Sequence, residues 1–170
     1  MASWQLALKR LFDFVFALLG LVISSPLLLL IFVILVLQRD GKPIFSQERI
    51  GRNGTPFQIY KFRTMRLDAE NGTPILAQKE DSRLTSIGKV LRKHHLDELP
   101  QLWNVLKGDM SFVGYRPERQ YFIDQIMKHD VRYQFLYQMR PGITSDATIY
   151  NGYTDTMEKM LERLSMDLHY

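Results

Sequence analysis

The residues with the clearest chemical potential are two adjacent acids, Asp97 and Glu98. Arg92, Lys93, His94 and His95 precede them, and Pro100, a residue suited to the first turn of a helix, follows. Two carboxylates this close repel unless a cation or a proton lies between them. In one reading, one acid is a nucleophile and the other holds a divalent metal. In the other, they are an acid pair at a helix start, favoured by the dipole and by the bases upstream. Adjacent acids are common on solvated helices, so spacing alone favours the second. Leu99, Leu102, Trp103 and Leu106 recur at helical spacing, which gives the helix around the pair a buried stripe.

Other cations are placed to hold phosphate. Pro43 to Arg49 and Phe57 to Met65 read as two strands joined across Asn53-Gly54, a hairpin-type turn. Alternation puts Lys61 and Arg63 on one face of the second strand, where Arg grips phosphate bidentately and Lys acts as a point charge. A solvated sheet face explains the same spacing. Arg116 stands at the turn Gly114-Tyr115-Arg116-Pro117, and Arg140 opens the extended turn Arg140-Pro141-Gly142-Ile143-Thr144, whose amides also suit substrate. His94 and His95 lack a second His or Cys pair at ligand spacing, so they make no metal site.

These groups need elements to hold them. The chain has 170 residues, enough for one domain with a real core, and a net charge of +4. With a pI near 9.3, it suits phosphate-rich partners: nucleotides, nucleic acid or an anionic membrane surface. Without Cys, disulfides and thiolate chemistry are excluded. Met65 to Asp81 is polar and reads as a mobile loop, a lid over the site. Thr85 caps a helix through Ile87, Val90 and Leu91, with Lys89, Arg92 and Lys93 along it. Lys107-Gly108-Asp109 is a helix stop and Met110 to Val113 a short strand. Helices follow over Glu118 to Lys128 and Met157 to Tyr170. Tyr121, Phe122, Tyr133, Phe135 and Tyr137 suit core packing, or an amphipathic helix at a membrane interface.

From Phe14 to Leu37 no side chain is charged. As a straight helix this stretch would reach about 36 Å, enough to span a bilayer core of ~30 Å. Ser24-Ser25-Pro26 interrupts it, with Gly20 one turn earlier. Pro26 lacks a backbone donor and crowds the Val22 carbonyl, and the serine hydroxyls suit groups freed by a bend. Two arms, Phe14 to Ile23 and Leu27 to Leu37, would each cross about half a bilayer. A plain transmembrane helix is the alternative. Lys9 and Arg10 at one end balance Arg39 and Lys42 at the other, which is best satisfied with both ends cytoplasmic. Asp13 lies one helical step from Lys9 and pairs with it.

Leu96 to Ser111 resembles the signature of the bacterial sugar transferases, the monotopic phosphoglycosyl transferases. The stretches beginning Phe45-Ser-Gln-Glu-Arg-Ile-Gly, Tyr60-Lys-Phe-Arg-Thr-Met, Val113-Gly-Tyr-Arg-Pro-Glu and Arg140-Pro-Gly-Ile-Thr also resemble family motifs, in family order. The chain departs from the pattern at His95, Tyr115 and Ser145. The resemblance implies transfer of a phosphosugar from a UDP-sugar to a polyprenyl phosphate such as undecaprenyl phosphate, with Mg²⁺ and release of UMP. It implies Asp97 as nucleophile, through an aspartyl-phosphosugar intermediate, and Glu98 as the acid associated with the metal. It also favours the hairpin, broken at Ser25 and Pro26, over a straight span. Family members commonly continue past the point where this chain ends.

The expectation is therefore an α/β fold, mostly helical with a small β-hairpin. Residues 1–40 form a re-entrant membrane helix and residues 41–170 a cytoplasmic catalytic domain with amphipathic interfacial helices. The placement is monotopic, on the cytoplasmic face of a bacterial inner membrane. Expected partners are the UDP-sugar, the polyprenyl phosphate and the inner leaflet; self-association is allowed and nucleic acid is not expected. Two other classes compete: a membrane-tethered nucleic-acid-binding module, which leaves the acid pair unexplained, and a non-catalytic scaffold.

Overall fold

The computed structural model describes residues 3–69, 74–76, 78, 81–152 and 154–169. Most of it is helical. Helix α1 runs unbroken from Ser3 to Gln38 with Pro26 inside it. The sequence predicts two arms broken at Ser24-Ser25-Pro26, and the hydroxyls account for the continuity. Ser25 Oγ donates to the Val22 carbonyl at 2.7 Å, the acceptor that Pro26 leaves without its N–H. Ser24 Oγ donates to the Gly20 carbonyl at 2.6 Å.

One stripe of α1 packs on the rest of the chain. Ala17 contributes to a cluster with Ile59, Val105 and Met110, while Ile31 and Leu35 pack with Phe62 and Leu91. Between them Gly20 faces Leu102, whose Cδ1 would lie 3.2 Å from an added Cβ. The spacing of Ala17, Gly20, Leu28, Ile31 and Leu35 is that of a helix face, and it continues on both sides of Pro26. Large apolar side chains from Trp4 to Leu37 cover the remaining surface and stay exposed. The stripe begins in polar contacts. Asp13 is buried, lies 3.8 Å from Lys9, and accepts from Ser111 Oγ at 2.8 Å and from the Phe112 amide at 3.2 Å.

Strands β1 (Ile44–Ile50) and β2 (Pro56–Phe62) form an antiparallel hairpin with Phe45 opposite Lys61. A 3₁₀ turn at Arg52–Gly54 joins them, with Asn53 and Gly54 at φ 59° and 70°. The sequence carries β2 on to Met65, but the structure ends it at Phe62. There the Arg63 amide turns to the Pro43 carbonyl at 2.8 Å, and the Thr85 amide donates to the Thr64 carbonyl at 3.0 Å. Of the expected lid, Asn71-Gly72 lies outside the described residues.

Helix α2 (Ser86–Lys93) is capped as expected, with Thr85 Oγ1 accepting from the Gly88 amide at 2.9 Å. It leads through His95 to α3 (Gln101–Lys107), which Gly108 closes in the left-handed region at φ 101°. Strand β3 (Ser111–Val113) pairs in parallel with β4 (Gly142–Thr144). Helix α4 (Gln120–His129), a 3₁₀ stretch over Val131–Gln138, α5 (Asp146–Tyr150) and α6 (Met157–Asp167) complete the chain. The main core lies among them, with Tyr115, Phe122, Ile126, Tyr133, Leu136 and Leu164 buried. The aromatic stretch thus divides: Phe122 and Tyr133 are core, whereas Tyr121 and Phe135 are exposed.

One close approach sets where α2 delivers the acid pair. A Cβ on Gly88 would overlap the Thr64 carbonyl oxygen and stand 2.7 Å from its carbon. Gly88→Ala should therefore push α2 off the end of β2 and destabilise the fold by about 2 kcal/mol or more, despite alanine's better helix propensity. Chemical denaturation of the variant checks this, and a gain in stability would contradict it.

Candidate active site

The acid pair occupies a single 3₁₀ turn, Leu96–Glu98, between α2 and α3. The sequence places it at the start of a helix, but the regular helix begins only after Pro100. His95 launches the turn from the left-handed region at φ 54°, and its carbonyl accepts from the Glu98 amide at 3.2 Å. His95 thus has a backbone role in shaping the turn, although its ring is exposed.

Asp97 is buried, 6% exposed. Burial pushes its carboxyl above the usual carboxylate range; Lys61 pulls it back, Glu98 pushes it further up, and Arg92 again opposes. Glu98 is the junction of the site. Its Oε1 takes Lys61 Nζ at 2.6 Å and Arg116 Nη2 at 3.1 Å. Burial alone would raise Glu98, but Arg116 and Lys61 outweigh it and hold the carboxyl well below its ordinary value. Burial lowers the Lys61 ammonium, helped by Arg116 and opposed by Glu98. Glu98 in turn raises the Arg116 guanidinium. At neutral pH, Glu98 is therefore a carboxylate, with Lys61 and Arg116 both on its Oε1.

Of the expected phosphate-binding cations, the structure brings Lys61 and Arg116 together on Glu98. Arg63 Nε donates to the Lys42 carbonyl at 2.8 Å, and its guanidinium lies 5.9 Å over the ring of Phe45, the residue opposite Lys61, so Arg63 keeps to the Lys61 face although regular β2 ends before it. Arg140 Nε donates to the Gly108 carbonyl at 2.9 Å, at the far end of α3 from the acid pair. Arg10 serves that same end, donating to the Val105 and Leu106 carbonyls at 2.6 and 2.8 Å. Cations suit carbonyls at a helix C-terminus. Arg92, read from sequence only as an upstream base, reaches Thr64 Oγ1 at 3.2 Å and acts electrostatically on Asp97.

A divalent cation can be tested against these donors. Among the described residues, no three His, Cys, Asp or Glu side chains gather at metal-binding distance. Mg²⁺ does not need them, since it is usually held by one or two carboxylates with substrate phosphates and water. Glu98, whose Oε1 carries both ion pairs, and the adjacent Asp97 fit that set.

Behind Arg116 lies a second buried polar group that the sequence reading missed. Arg49 pairs with Glu118 at 2.9 Å, and Arg163 stands 3.9 Å from the same carboxylate. Arg116, Glu118, Arg163 and Asp167 line one cavity with Tyr133. Asp167, 4% exposed, is pushed up to about 6 by burial, with Ser145 and Arg163 opposing.

With this geometry established, comparison with known proteins identifies the class. The bacterial sugar transferase family matches residues 4–170, and the chain belongs to it. A putative undecaprenyl-phosphate N-acetylgalactosaminyl 1-phosphate transferase of Bacillus subtilis is 48% identical over 120 residues, 71% of this chain and 67% of that protein. A UDP-glucose:undecaprenyl-phosphate glucose-1-phosphate transferase of Caulobacter vibrioides is 42% identical over 164 residues, 95% of this chain and 61% of that protein. An Aeromonas hydrophila UDP-N-acetylgalactosamine-undecaprenyl-phosphate N-acetylgalactosaminephosphotransferase is 39% identical over 163 residues, 96% of this chain but 38% of that protein. The chain thus spans between about two fifths and two thirds of the length of these relatives.

The Asp167 environment makes a stability prediction with a definite sign. A carboxyl whose folded value lies near 6, against about 4 unfolded, binds its proton more tightly in the folded state. Its contribution is present below pH ~4 and is lost as pH rises through 6. Asp167→Asn should therefore stabilise the protein at pH 8 by on the order of 2 kcal/mol relative to its effect at pH 4. Thermal melts of both proteins at the two pH values check this; equal effects would contradict it.

Proposed function

We propose that this chain is a phosphoglycosyl transferase that moves a phosphosugar from a UDP-sugar to a polyprenyl phosphate. The observation that carries this reading is a buried carboxyl group, Asp97, next to a second acid paired with two basic side chains, Lys61 and Arg116. The relatives' names supply the substrate classes: UDP-sugars as donors and undecaprenyl phosphate as acceptor.

In the proposed reaction Asp97 attacks the β-phosphorus of the UDP-sugar. A bond forms from its carboxylate oxygen to phosphorus, and the bond to the bridging oxygen breaks, releasing UMP. The polyprenyl phosphate oxygen then attacks the same phosphorus, and the aspartate carboxylate leaves. Lys61 and Arg116 shift from Glu98 to the incoming phosphates, where their charge offsets the repulsion between a carboxylate and a diphosphate. Burial of Asp97 keeps water away from the acyl phosphate. Mg²⁺, associated with Glu98, would supply further positive charge at the phosphates.

The lipid acceptor requires a membrane, and α1 supports a monotopic placement on the cytoplasmic face of the inner membrane. Arg10 bonds to the end of α3, and Leu35 packs on Phe62 of the same domain. A straight crossing of a ~30 Å core would separate those contacts onto opposite sides of the bilayer. Since the chain has no cysteine, single Cys labels at positions 3 and 45 are clean probes of this. Both should react from the cytoplasmic side in sealed vesicles; labelling of position 3 from the opposite side would mean a spanning helix.

The covalent step has its own test. UMP should appear before any acceptor is added, at no more than one equivalent per enzyme. The protein should gain the mass of a phosphosugar and lose it when polyprenyl phosphate is supplied. Asp97→Asn should abolish the adduct, because an amide cannot form the acyl phosphate. If no adduct forms without acceptor, the lipid phosphate attacks directly and Asp97 is not the nucleophile.

A further inference from the structure

We infer that Asn104 is a positioning residue for this reaction: its carboxamide takes the place of a missing strand beside β2 and so sets where Lys61 stands against Glu98. The inference rests on the transferase reading for its functional weight, but its geometry is independent of that reading.

Among the described residues β2 has one strand neighbour, β1, which leaves its other edge to be satisfied by something else. Asn104 is fully buried on α3 and faces that edge. Its Oδ1 accepts from the Tyr60 amide at 3.1 Å, and its Nδ2 donates to the Gln58 carbonyl at 2.7 Å. Donating to one residue and accepting from the residue two further on is what a neighbouring parallel strand would do opposite Ile59. The amide is oriented further by Asp109 Oδ2, 3.4 Å from Nδ2. Its own backbone carbonyl gathers the Gly108, Asp109 and Met110 amides at 3.0–3.2 Å, which locks the residue in place from the other side.

The consequence reaches the acids through short, stiff connections. Tyr60, held by Asn104, adjoins Lys61 on β2. Asn104 lies on the helix that follows the acid turn directly. The offset between strand and turn is therefore set one residue away from the Lys61–Glu98 bond of 2.6 Å. An ammonium at that distance loses much of its effect if the strand slides by even an ångström or two. A buried asparagine kept only for stability would need its hydrogen bonds satisfied somewhere; these particular partners tie the element carrying the cation to the element carrying the acids.

The test is Asn104→Asp, which exchanges one amide nitrogen for oxygen and points a second acceptor at the Gln58 carbonyl, with Asn104→Ala as a second variant. Both are read in the folded protein, as judged by circular dichroism and melting temperature. Glu98 is faced by Lys61 from β2, by Arg116 from the segment after β3, and by its neighbour Asp97. The expected results are a loss of tenfold or more in kcat/KM and a Lys61 Nζ–Glu98 Oε1 separation, in a crystal structure of the variant, that exceeds the wild-type 2.6 Å by an ångström or more. On a Lys61→Ala background, Asn104→Asp should cost less than threefold, because the group it positions is gone. A full tenfold loss on that background, an unchanged Lys61–Glu98 separation, or failure of both variants to fold would overturn the inference in favour of a purely structural asparagine. The crystallographic separation needs no turnover. An inactive wild-type protein would therefore sink the transferase reading while leaving this result interpretable.

Discussion

The structure depends on one shared oxygen. Glu98 Oε1 receives Lys61 at 2.6 Å and Arg116 at 3.1 Å, and these three residues come from separate elements of the chain. Burying charges is costly, and mutual attraction offsets the loss of hydration only when the geometry is good. Here two acids, Asp97 and Glu98, face two bases, so the cluster is close to neutral. Removing Glu98 takes from Lys61 and Arg116 the carboxylate they share, whereas removing either base leaves Glu98 paired with the other. The cluster also primes the proposed reaction, because a diphosphate entering the site brings the negative charge needed to draw Lys61 and Arg116 away from Glu98.

Much of the fold serves to hold that oxygen. Gly88 lets α2 press on the Thr64 carbonyl, which fixes the direction from which the acid turn departs. The left-handed His95 makes the reversal, and α3 is held at its far end by Arg10 and Arg140. Lys61 is set by the hairpin and by the Asn104 amide along its free edge. Arg116 follows β3, whose pairing with β4 brings Gly114 and Gly142 into backbone contact, the Gly142 amide donating to the Tyr115 carbonyl at 2.8 Å.

What was legible in the sequence followed local pattern. The hairpin with its Asn-Gly turn, the Thr85 cap, the Gly108 stop and the apolar N-terminal helix all rest on signals within a few residues, and the acid pair rests on a motif. Alternation carries Arg63 to the Lys61 face, where its guanidinium lies over Phe45, the residue opposite Lys61, rather than on Glu98. Arg140, expected from sequence to contact substrate, donates to the Gly108 carbonyl at the end of α3. Asn104 could not be read at all: a polar residue inside an apolar helix says nothing about its function until β2 is found beside it. The β3–β4 pairing and the Glu118 cluster likewise join residues far apart in sequence.

The same logic explains why the apolar helix cannot be treated as a detachable anchor. Its buried stripe runs past Pro26 on both sides, from Ala17 against Val105 to Leu35 against Phe62. Val105 lies on the helix that follows the acids, and Phe62 is the strand residue next to Lys61. The helix is thus the wall against which both halves of the site are packed, and its outer face exposes large apolar side chains from Trp4 to Leu37. In the proposed monotopic placement, a bilayer that accepts that face sets the height of α3 and β2 relative to the membrane surface. In the proposed reaction the acceptor phosphate is tethered at that same surface by its lipid tail, so one packing interface both builds the site and places it where the acceptor can reach it.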